Sequence, residues 1–295
     1  MNVYRNWFLG SRPWSFTMTT ISVSVGATLG AIDGEFSWGL FAITLLAAVM
    51  IHGATNLIND YYDVKNGVDT LEVSTAQYRP HPLVEGKLNP DQVKIAAYGL
   101  IILAVLMGLY LAMTRGWMIL LIGIIGVTAG VTYTAPPFKY KYSALGEVSV
   151  FLMWGPLMVE GAYYVQRQAL SLGAFWISIP FGILVALVIF ANNIRDIATD
   201  RERGIKTLAI RLGQKNGLHF YLLLVTLSYL GILLMSFLGP LNFWSLIVFF
   251  SLPVAFGLFR QMRKQIPRDA DAITAKLNTA FGTLLVLSLV LKNLW

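Results

Sequence analysis

Nine times along this chain an apolar run of membrane-crossing length recurs, and that repetition limits the fold more than any single motif does. A helix needs about 20 residues to cross the hydrocarbon core of a bilayer. Hydrophobicity interrupted by Pro, Gly and charged residues predicts helices at roughly 15–33, 37–59, 92–113, 117–133, 146–166, 172–195, 217–238, 241–259 and 272–294. Segments such as "AIDGEFSW", "TRG", "TAPPFKYKYS" and "LGPLN" supply the turns between them. No soluble domain fits between the runs, so residues 1–295 read as one all-α polytopic membrane domain. A composition that is 56% hydrophobic and 13% charged, with mean hydropathy +0.65, agrees. Arg5 and Arg12 precede the first run in the manner of a signal peptide, but the run is too long for a signal core and many spans follow, so a retained first helix is expected.

The helix count can be tested against charge. With the N-terminus in the cytoplasm, 19 of the 22 lysines and arginines fall on that side, and only Arg115, Arg167 and Lys292 fall on the other. Cytoplasmic loops of membrane proteins collect Lys and Arg, so the lopsided division supports nine crossings and a plasma-membrane protein with its N-terminus inside. The net charge of +7 has the same source, and no nucleic-acid partner is expected. The chain has no cysteine, which excludes disulfides, thiolate metal sites and thiol nucleophiles.

Against this apolar background two polar stretches stand out, "NLINDYYDVKNGVD" at 56–69 and "NNIRDIATDRERG" at 192–204. On a helix Asn56, Asp60 and Asp63 share one face, with Asn59 beside them and Asp69 in the following loop. Asn192, Asp196 and Asp200 form a second stripe, with Asn193 and Arg195 among them. Four predicted crossings separate the stretches, so both lie at the cytoplasmic face and can meet. The loops after them, about 60–91 and 196–216, are the longest and most polar, and are expected to cap a central cavity. Helix-end solvation would explain one aspartate; it does not explain two stripes with matched Asn-x-x-x-Asp spacing. Clustered carboxylates at the edge of a hydrocarbon layer repel one another unless cations gather them, and no equal number of basic residues lies on these stripes. Oxygen-only donors favour a hard cation, and two facing sets suit Mg²⁺ around a diphosphate.

Basic residues near the stripes include Arg79, Lys139, Lys141, Arg195 and Lys206; Arg195 and Lys139 are the stronger candidates for stabilising a departing diphosphate. Glu160 is an acid inside a predicted span and is expected to mark a polar cavity, although a hydrogen bond to a neighbouring helix would also account for it. The histidines at 52, 81 and 219 lack metal-ligand spacing, and no phosphate loop or nucleophile elbow is present.

At "RPWSF", "NLINDYYDVKNGVD", "YTAPPFKYKYSALGE" and "NNIRDIATDRERGIKTLAIRLG" the chain resembles the UbiA superfamily of intramembrane aromatic prenyltransferases over nearly its whole length. The resemblance implies nine helices around a central cavity, Mg²⁺, a prenyl diphosphate donor and an acceptor prenylated on carbon. Asn56, Asp60, Asp63, Asn192, Asp196 and Asp200 would hold the metal and diphosphate. Asn59, Asp69, Arg79, Tyr133, Lys141, Glu160, Asn193, Arg195 and Lys206 would contact substrates. Asp69 follows Asp63 by six residues where the commoner family pattern has four, a spacing similar to that of the dihydroxynaphthoate prenyltransferases of menaquinone synthesis and their animal vitamin K relatives. The segment from Tyr133 to Lys139 is longer than the family pattern, which leaves Lys139 and Lys141 as alternative grips on the diphosphate. Other acceptors (hydroxybenzoate, homogentisate, a chlorophyll precursor, haem, a glycerol-phosphate lipid) are the alternatives within the enzyme class. A cation or solute transporter is the alternative outside it, but a transporter should hold its ionisable groups at the midplane, and here nearly all acids sit at one face.

Overall fold

The computed structural model describes residues 3–294 and places helices at all nine predicted runs, with no strand among the described residues. α1 (Val3–Gly10) leads through a 3-10 turn at Pro13–Ser15 into α2 (Phe16–Ile32). α3 (Trp38–Lys65) is followed by a loop carrying the short α4 (Ser74–Tyr78), then by α5 (Pro90–Arg115) and α6 (Met118–Thr132). α7 (Gly146–Leu152) and α8 (Met158–Arg167) are one span interrupted by a π turn at Met153–Leu157, where Pro156 lacks an N–H and Gly155 leaves helical geometry. α9 (Leu172–Arg195), α10 (Ile197–Glu202), α11 (Leu208–Leu238), a 3-10 segment at Phe243–Ser251, α12 (Leu252–Lys264) and α13 (Ala270–Leu294) complete the chain. Among the described residues eight spans are long and apolar enough to cross a membrane; α6, with 15 residues, is apolar but shorter. The chain is an integral membrane protein of all-α class.

Local chemistry sets the helix starts. The side chains of Ser37, Asn89, Ser171 and Thr207 accept hydrogen bonds from N–H groups two or three residues on, satisfying donors that a helix start leaves without partners. Thr207 caps a short first part of α11 that Gly213, at φ +73°, interrupts before the longer apolar part predicted from 217. The run predicted as a helix at 241–259 is instead 3-10 helix before α12.

α9 is the axis of the bundle. Its Ile177, Phe181, Leu184 and Ile194 are fully buried, and it packs against α2, α7, α11 and α13. α3 pairs with α5, and α2 with α8. The α2–α8 contact depends on the "GATLG" segment: a Cβ on Gly26 would lie 2.1 Å from the Val159 carbonyl oxygen, and one on Gly30 would lie 2.6 Å from Gln166. Such small-xxx-small spacing lets membrane helices pack backbone to backbone. Between the α3–α5–α6 group and the α2–α9–α13 group lies a cavity of about 910 Å³, apolar along α5, α6 and α9 and polar at the end where α3 and α9 finish.

Candidate active site

The last two turns of α3 present Asn56, Asn59, Asp60 and Asp63 as the helical spacing predicts. α3 then stops at Lys65, and Gly67 adopts φ +70°, a left-handed conformation that few other residues take cheaply. The N–H groups of Val68 and Asp69 fold back onto the Asp63 carbonyl at 2.7 and 3.1 Å. This turn returns Asp69 to the carboxylates of α3, so the six-residue spacing from Asp63 still delivers a third acid.

Each acid of this first stretch has a cation or donor supplied from elsewhere in the fold. Arg12 donates to the Asp60 carboxylate. Lys141 Nζ donates to Asp63 at 2.6 Å and to the Asn59 side-chain oxygen at 3.1 Å, and the Tyr142 hydroxyl donates to the other Asp63 oxygen. Asp63 is only 1% exposed, so the two partners offset a large desolvation cost. Burial disfavours the charge on Lys141, but Asp63 and then Asp69 outweigh it and raise its pKa. His81 is buried in the loop after α4, with Nε2 3.1 Å from Asp69 and 3.7 Å from Asp60. The Val84 N–H approaches its Nδ1 at 3.4 Å, so Nε2 carries the hydrogen and donates to Asp69. Burial works against ionised Asp69, yet the His81 hydrogen bond and Lys141 hold its pKa down at about 2.

The second stretch is not one continuous helix. α9 ends at Arg195, Asp196 sits in the joint with φ −96° and ψ 14°, and Asp200 lies on α10. The Asp200 N–H still bonds the Asp196 carbonyl at 2.9 Å, which keeps the acids one turn apart. Arg195 organises the region: it donates to Asp196 at 2.6 and 2.8 Å, Asn192 at 2.5 Å, Asp271 at 3.1 Å, Thr75 at 3.0 Å and the Arg268 carbonyl at 2.6 Å. Asn193 donates to Glu147 at 2.8 Å. Arg79 faces Asp271 at 4.0 Å and stacks over Trp14.

The two stretches meet. A small polar chamber of about 70 Å³ is lined by Asp69, Asn192, Asp196, Asp200, Tyr133 and Lys141, among others, and shares several of these residues with the large cavity. Three expected residues are not brought in. Lys139 takes a left-handed conformation, φ +47°, and its ammonium contacts neither stretch; of the two alternatives it is Lys141 whose ammonium lies against Asp63. Lys139→Ala should therefore keep prenyl transfer within about twofold of wild type, whereas Lys141→Ala should lose about 10²-fold or more, as for removal of one preorganised donor. The Lys206 side chain is exposed, and only its backbone N–H takes part, bonding the Tyr142 carbonyl at 3.2 Å. Glu160 does not line the cavity; its carboxylate accepts the Ser171 N–H at 3.1 Å, closing the α8–α9 turn. The fold adds Arg12, Tyr78, His81, Tyr142 and Asp271, which no local pattern marks. Only "RPW" and "YKY", inside the segments that carry the resemblance, hinted at Arg12 and Tyr142.

As expected, no equal number of basic residues lies on the two stripes themselves; most of the acids' partners come from other elements. Even so, Asp60, Asp63, Asp69, Asp196, Asp200 and Asp271 face Arg12, Arg79, Lys141, Arg195 and Arg203, an excess of one negative charge. Arg203 donates to the Val68 carbonyl at 2.6 Å rather than to a carboxylate. Asp200 has no ion pair or side-chain hydrogen bond among the described residues, and burial and then Asp196 push its pKa up to about 6. Asp60, Asp69 and His81 also place donor atoms within 4.8 Å of one another. Surplus negative charge and an unpartnered, half-buried carboxylate among oxygen donors fit a hard divalent cation. A carboxylate whose folded pKa lies above its unfolded value costs stability when ionised, a cost present above about pH 6 and relieved as pH falls towards the ordinary 3.8. Asp200→Asn should therefore raise the Tm of the metal-free protein at pH 7.5, with a smaller gain at pH 5 and little below the ordinary carboxylate pKa of 3.8, while abolishing stabilisation by Mg²⁺; thermal unfolding in detergent reads both.

Residues 19–285 match the model of the UbiA prenyltransferase family. The chain belongs to the UbiA prenyltransferase family. Among curated relatives it is similar to 1,4-dihydroxy-2-naphthoate octaprenyltransferase of Bacillus subtilis, 31% identical over 96% of this chain and 91% of that one. It is also similar to UbiA prenyltransferase domain-containing protein 1 of Homo sapiens, 33% identical over 97% and 83%. Among solved structures, a UbiA homologue from Aeropyrum pernix has TM-score 0.68 at 17% identity, covering 94% of this chain and 97% of that one. One from Archaeoglobus fulgidus, bound to DMAPP and Mg²⁺, has TM-score 0.63 at 15% identity, covering 96% and 99%. This UbiA family member is a prenyltransferase, which sets the transporter reading aside.

Proposed function

We propose that the chain, acting as a single domain, catalyses Mg²⁺-dependent transfer of a prenyl group from a prenyl diphosphate to an aromatic acceptor, most specifically 1,4-dihydroxy-2-naphthoate in menaquinone synthesis. The observation that carries the reading is the facing of Asp69 with Asp196 and Asp200 across a polar throat that opens into a long apolar cavity. A diphosphate needs the first and an isoprenoid chain the second. The naphthoate acceptor is supported by the Bacillus relative and by the spacing of Asp69. The concentration of basic residues at the throat end supports a plasma-membrane protein with the site on the cytoplasmic side.

Asn56, Asp60, Asp63, Asn192, Asp196 and Asp200 are the residues that would hold Mg²⁺, which supplies charge stabilisation for a departing diphosphate. Lys141, with a third N–H beyond its bonds to Asp63 and Asn59, can donate to a diphosphate oxygen as the bond to the prenyl carbon breaks, while Arg195, its N–H groups engaged, holds Asn192 and Asp196 in place and adds a fixed positive charge nearby. Trp154, Met153, Leu157 and Ile189 wall the cavity beyond the throat; they exclude water from the allylic cation, and the Trp154 ring face can stabilise it. The loop carrying α4 covers the throat, tied down by Tyr78, whose hydroxyl donates to Asp271 at 2.6–2.7 Å. An electron-rich ring carbon then attacks, a carbon–carbon bond forms, and in the naphthoate reaction the ring carboxylate leaves as CO₂.

Acceptor identity is read by mass spectrometry of products formed from geranylgeranyl diphosphate with dihydroxynaphthoate, hydroxybenzoate and homogentisate in competition. A prenylated, decarboxylated naphthol as the dominant product is the expected result; dominance of another prenylated ring would transfer the assignment to that acceptor.

A further inference from the structure

Trp154, Thr19, His52 and Ser15 form a run of polar side chains through the cavity wall, reaching Asn56, and the chemistry above gives the three middle links no role. Thr19 and His52 are buried in the body of the bundle, where an unsatisfied polar group is costly. The direction of every hydrogen bond can be deduced. The Ser15 hydroxyl donates its only hydrogen to the Arg12 carbonyl at 2.7 Å. His52 Nε2, 3.1 Å from the same Ser15 oxygen, must therefore carry a hydrogen and donate it. In the neutral ring Nδ1 is then an acceptor, so the Thr19 hydroxyl, 2.7 Å away, donates to it. The Trp154 indole can only donate, and the Thr19 oxygen accepts it at 3.0 Å. Ser15 uses its remaining lone pair to accept one hydrogen of the Asn56 amide at 3.2 Å; the other goes to the Ser11 carbonyl at 2.9 Å.

Every donor and acceptor in the run is used, and one group is left over. The Asn56 side-chain oxygen has no partner among the described residues and borders the cavity. A half-turn of this amide would set its oxygen against the Ser11 carbonyl and present a nitrogen that cannot ligate a cation. We propose that His52 is a positioning residue: through Ser15 it locks the Asn56 amide with its oxygen free for a hard cation, and through Thr19 it ties that lock to the indole of the cavity wall. The inference rests on the metal-dependent reading above.

Mn²⁺, an oxygen-seeking stand-in for Mg²⁺, is titrated into detergent-purified protein with inorganic diphosphate present, and free Mn²⁺ is followed by electron paramagnetic resonance. Thr19→Val removes the hydroxyl at nearly constant shape and touches no residue proposed to hold the cation. It should weaken Mn²⁺ binding about tenfold, the lower range for an outer-sphere partner of a metal ligand, and Thr19→Ser should restore it. In an Asn56→Ala background the same Thr19→Val change should add nothing, because the lock would have nothing to hold. Ser15→Ala, at the other end of the run, should behave as Thr19→Val does and serves where that variant folds poorly. Unchanged affinity in both variants, or a Thr19→Val penalty that persists without Asn56, would overturn the proposal. Absence of saturable Mn²⁺ binding in wild type would instead overturn the metal-dependent reading beneath it.

Discussion

Asp63→Ala should reduce prenyl transfer by about 10³-fold or more and lower the Tm of the metal-free protein, a combined loss larger than that of any other single change at the throat. Asp63 is buried on the last turn of α3 and accepts from both Lys141 and Tyr142, so its removal leaves a half-buried ammonium without its carboxylate. Breaking a buried pair from one side costs about 3–5 kcal/mol; here the Asn59 oxygen, 3.1 Å from Lys141, limits the damage. Catalysis loses more, because a proposed metal ligand goes and Lys141 loses the group that aims it. Asp63→Asn separates the two effects: its amide oxygen can still accept from Lys141, so the Tm should recover most of its value while activity stays low. Turnover and thermal unfolding measured on both variants check this, and an Asp63→Asn enzyme with near wild-type turnover would remove Asp63 from the site.

Arg195→Ala carries the second large effect. The guanidinium joins Asn192 and Asp196 to Asp271 at the start of α13 and to Thr75 in α4, so a single side chain holds the second acidic stretch, the last helix and the covering loop in register. Loss of one preorganised cation at a developing charge costs about 10²–10³-fold in turnover, and the freed loop should add water capture, seen as free prenyl alcohol. Arg195→Lys should recover little, because an ammonium lacks the planar fork that reaches several partners in fixed directions. The checking measurement is the ratio of prenylated acceptor to prenyl alcohol alongside kcat; an unchanged ratio in Arg195→Ala would show that the loop is held by other contacts.

How far the sequence disclosed this arrangement depends on the range of the interactions. The spans were legible because a membrane helix must be apolar over a fixed length; α3 was predicted only to 59, where its apolar run stops, although the helical spacing of Asn56, Asp60 and Asp63 carries it on to Lys65. The meeting of the two acidic stretches followed from counting crossings, a constraint that needs no contact information. The end of α9 fell at the predicted residue 195, but the short α10 that carries Asp200 was not legible, because the turn between them is satisfied by backbone groups common to every residue. Arg12 and Asp271 were missed for a related reason. Each reaches the throat from its own element, over sequence separations of 48 residues for Arg12–Asp60 and 76 for Arg195–Asp271, and no local pattern encodes such a pairing. Glu160 misled because a buried acid signals a polar environment without saying which; the α8–α9 turn needed a carboxylate to accept the Ser171 N–H, and that is where it points. Lys139 and Lys141 differ by two positions in the sequence, and only the left-handed turn at Lys139 decides which one faces Asp63.

The central claim is that two acidic stretches on separate helices act together, with a divalent cation, on a prenyl diphosphate. Diphosphate release by purified protein, with geranylgeranyl diphosphate and dihydroxynaphthoate supplied and Mg²⁺ varied, tests it most directly when wild type is compared with Asp63→Asn and Asp196→Asn. The account predicts release that matches prenylated product one for one, requires Mg²⁺, stops with EDTA, and falls by about 10²-fold or more in each variant. Release that continues without Mg²⁺, or that survives either substitution, would contradict it.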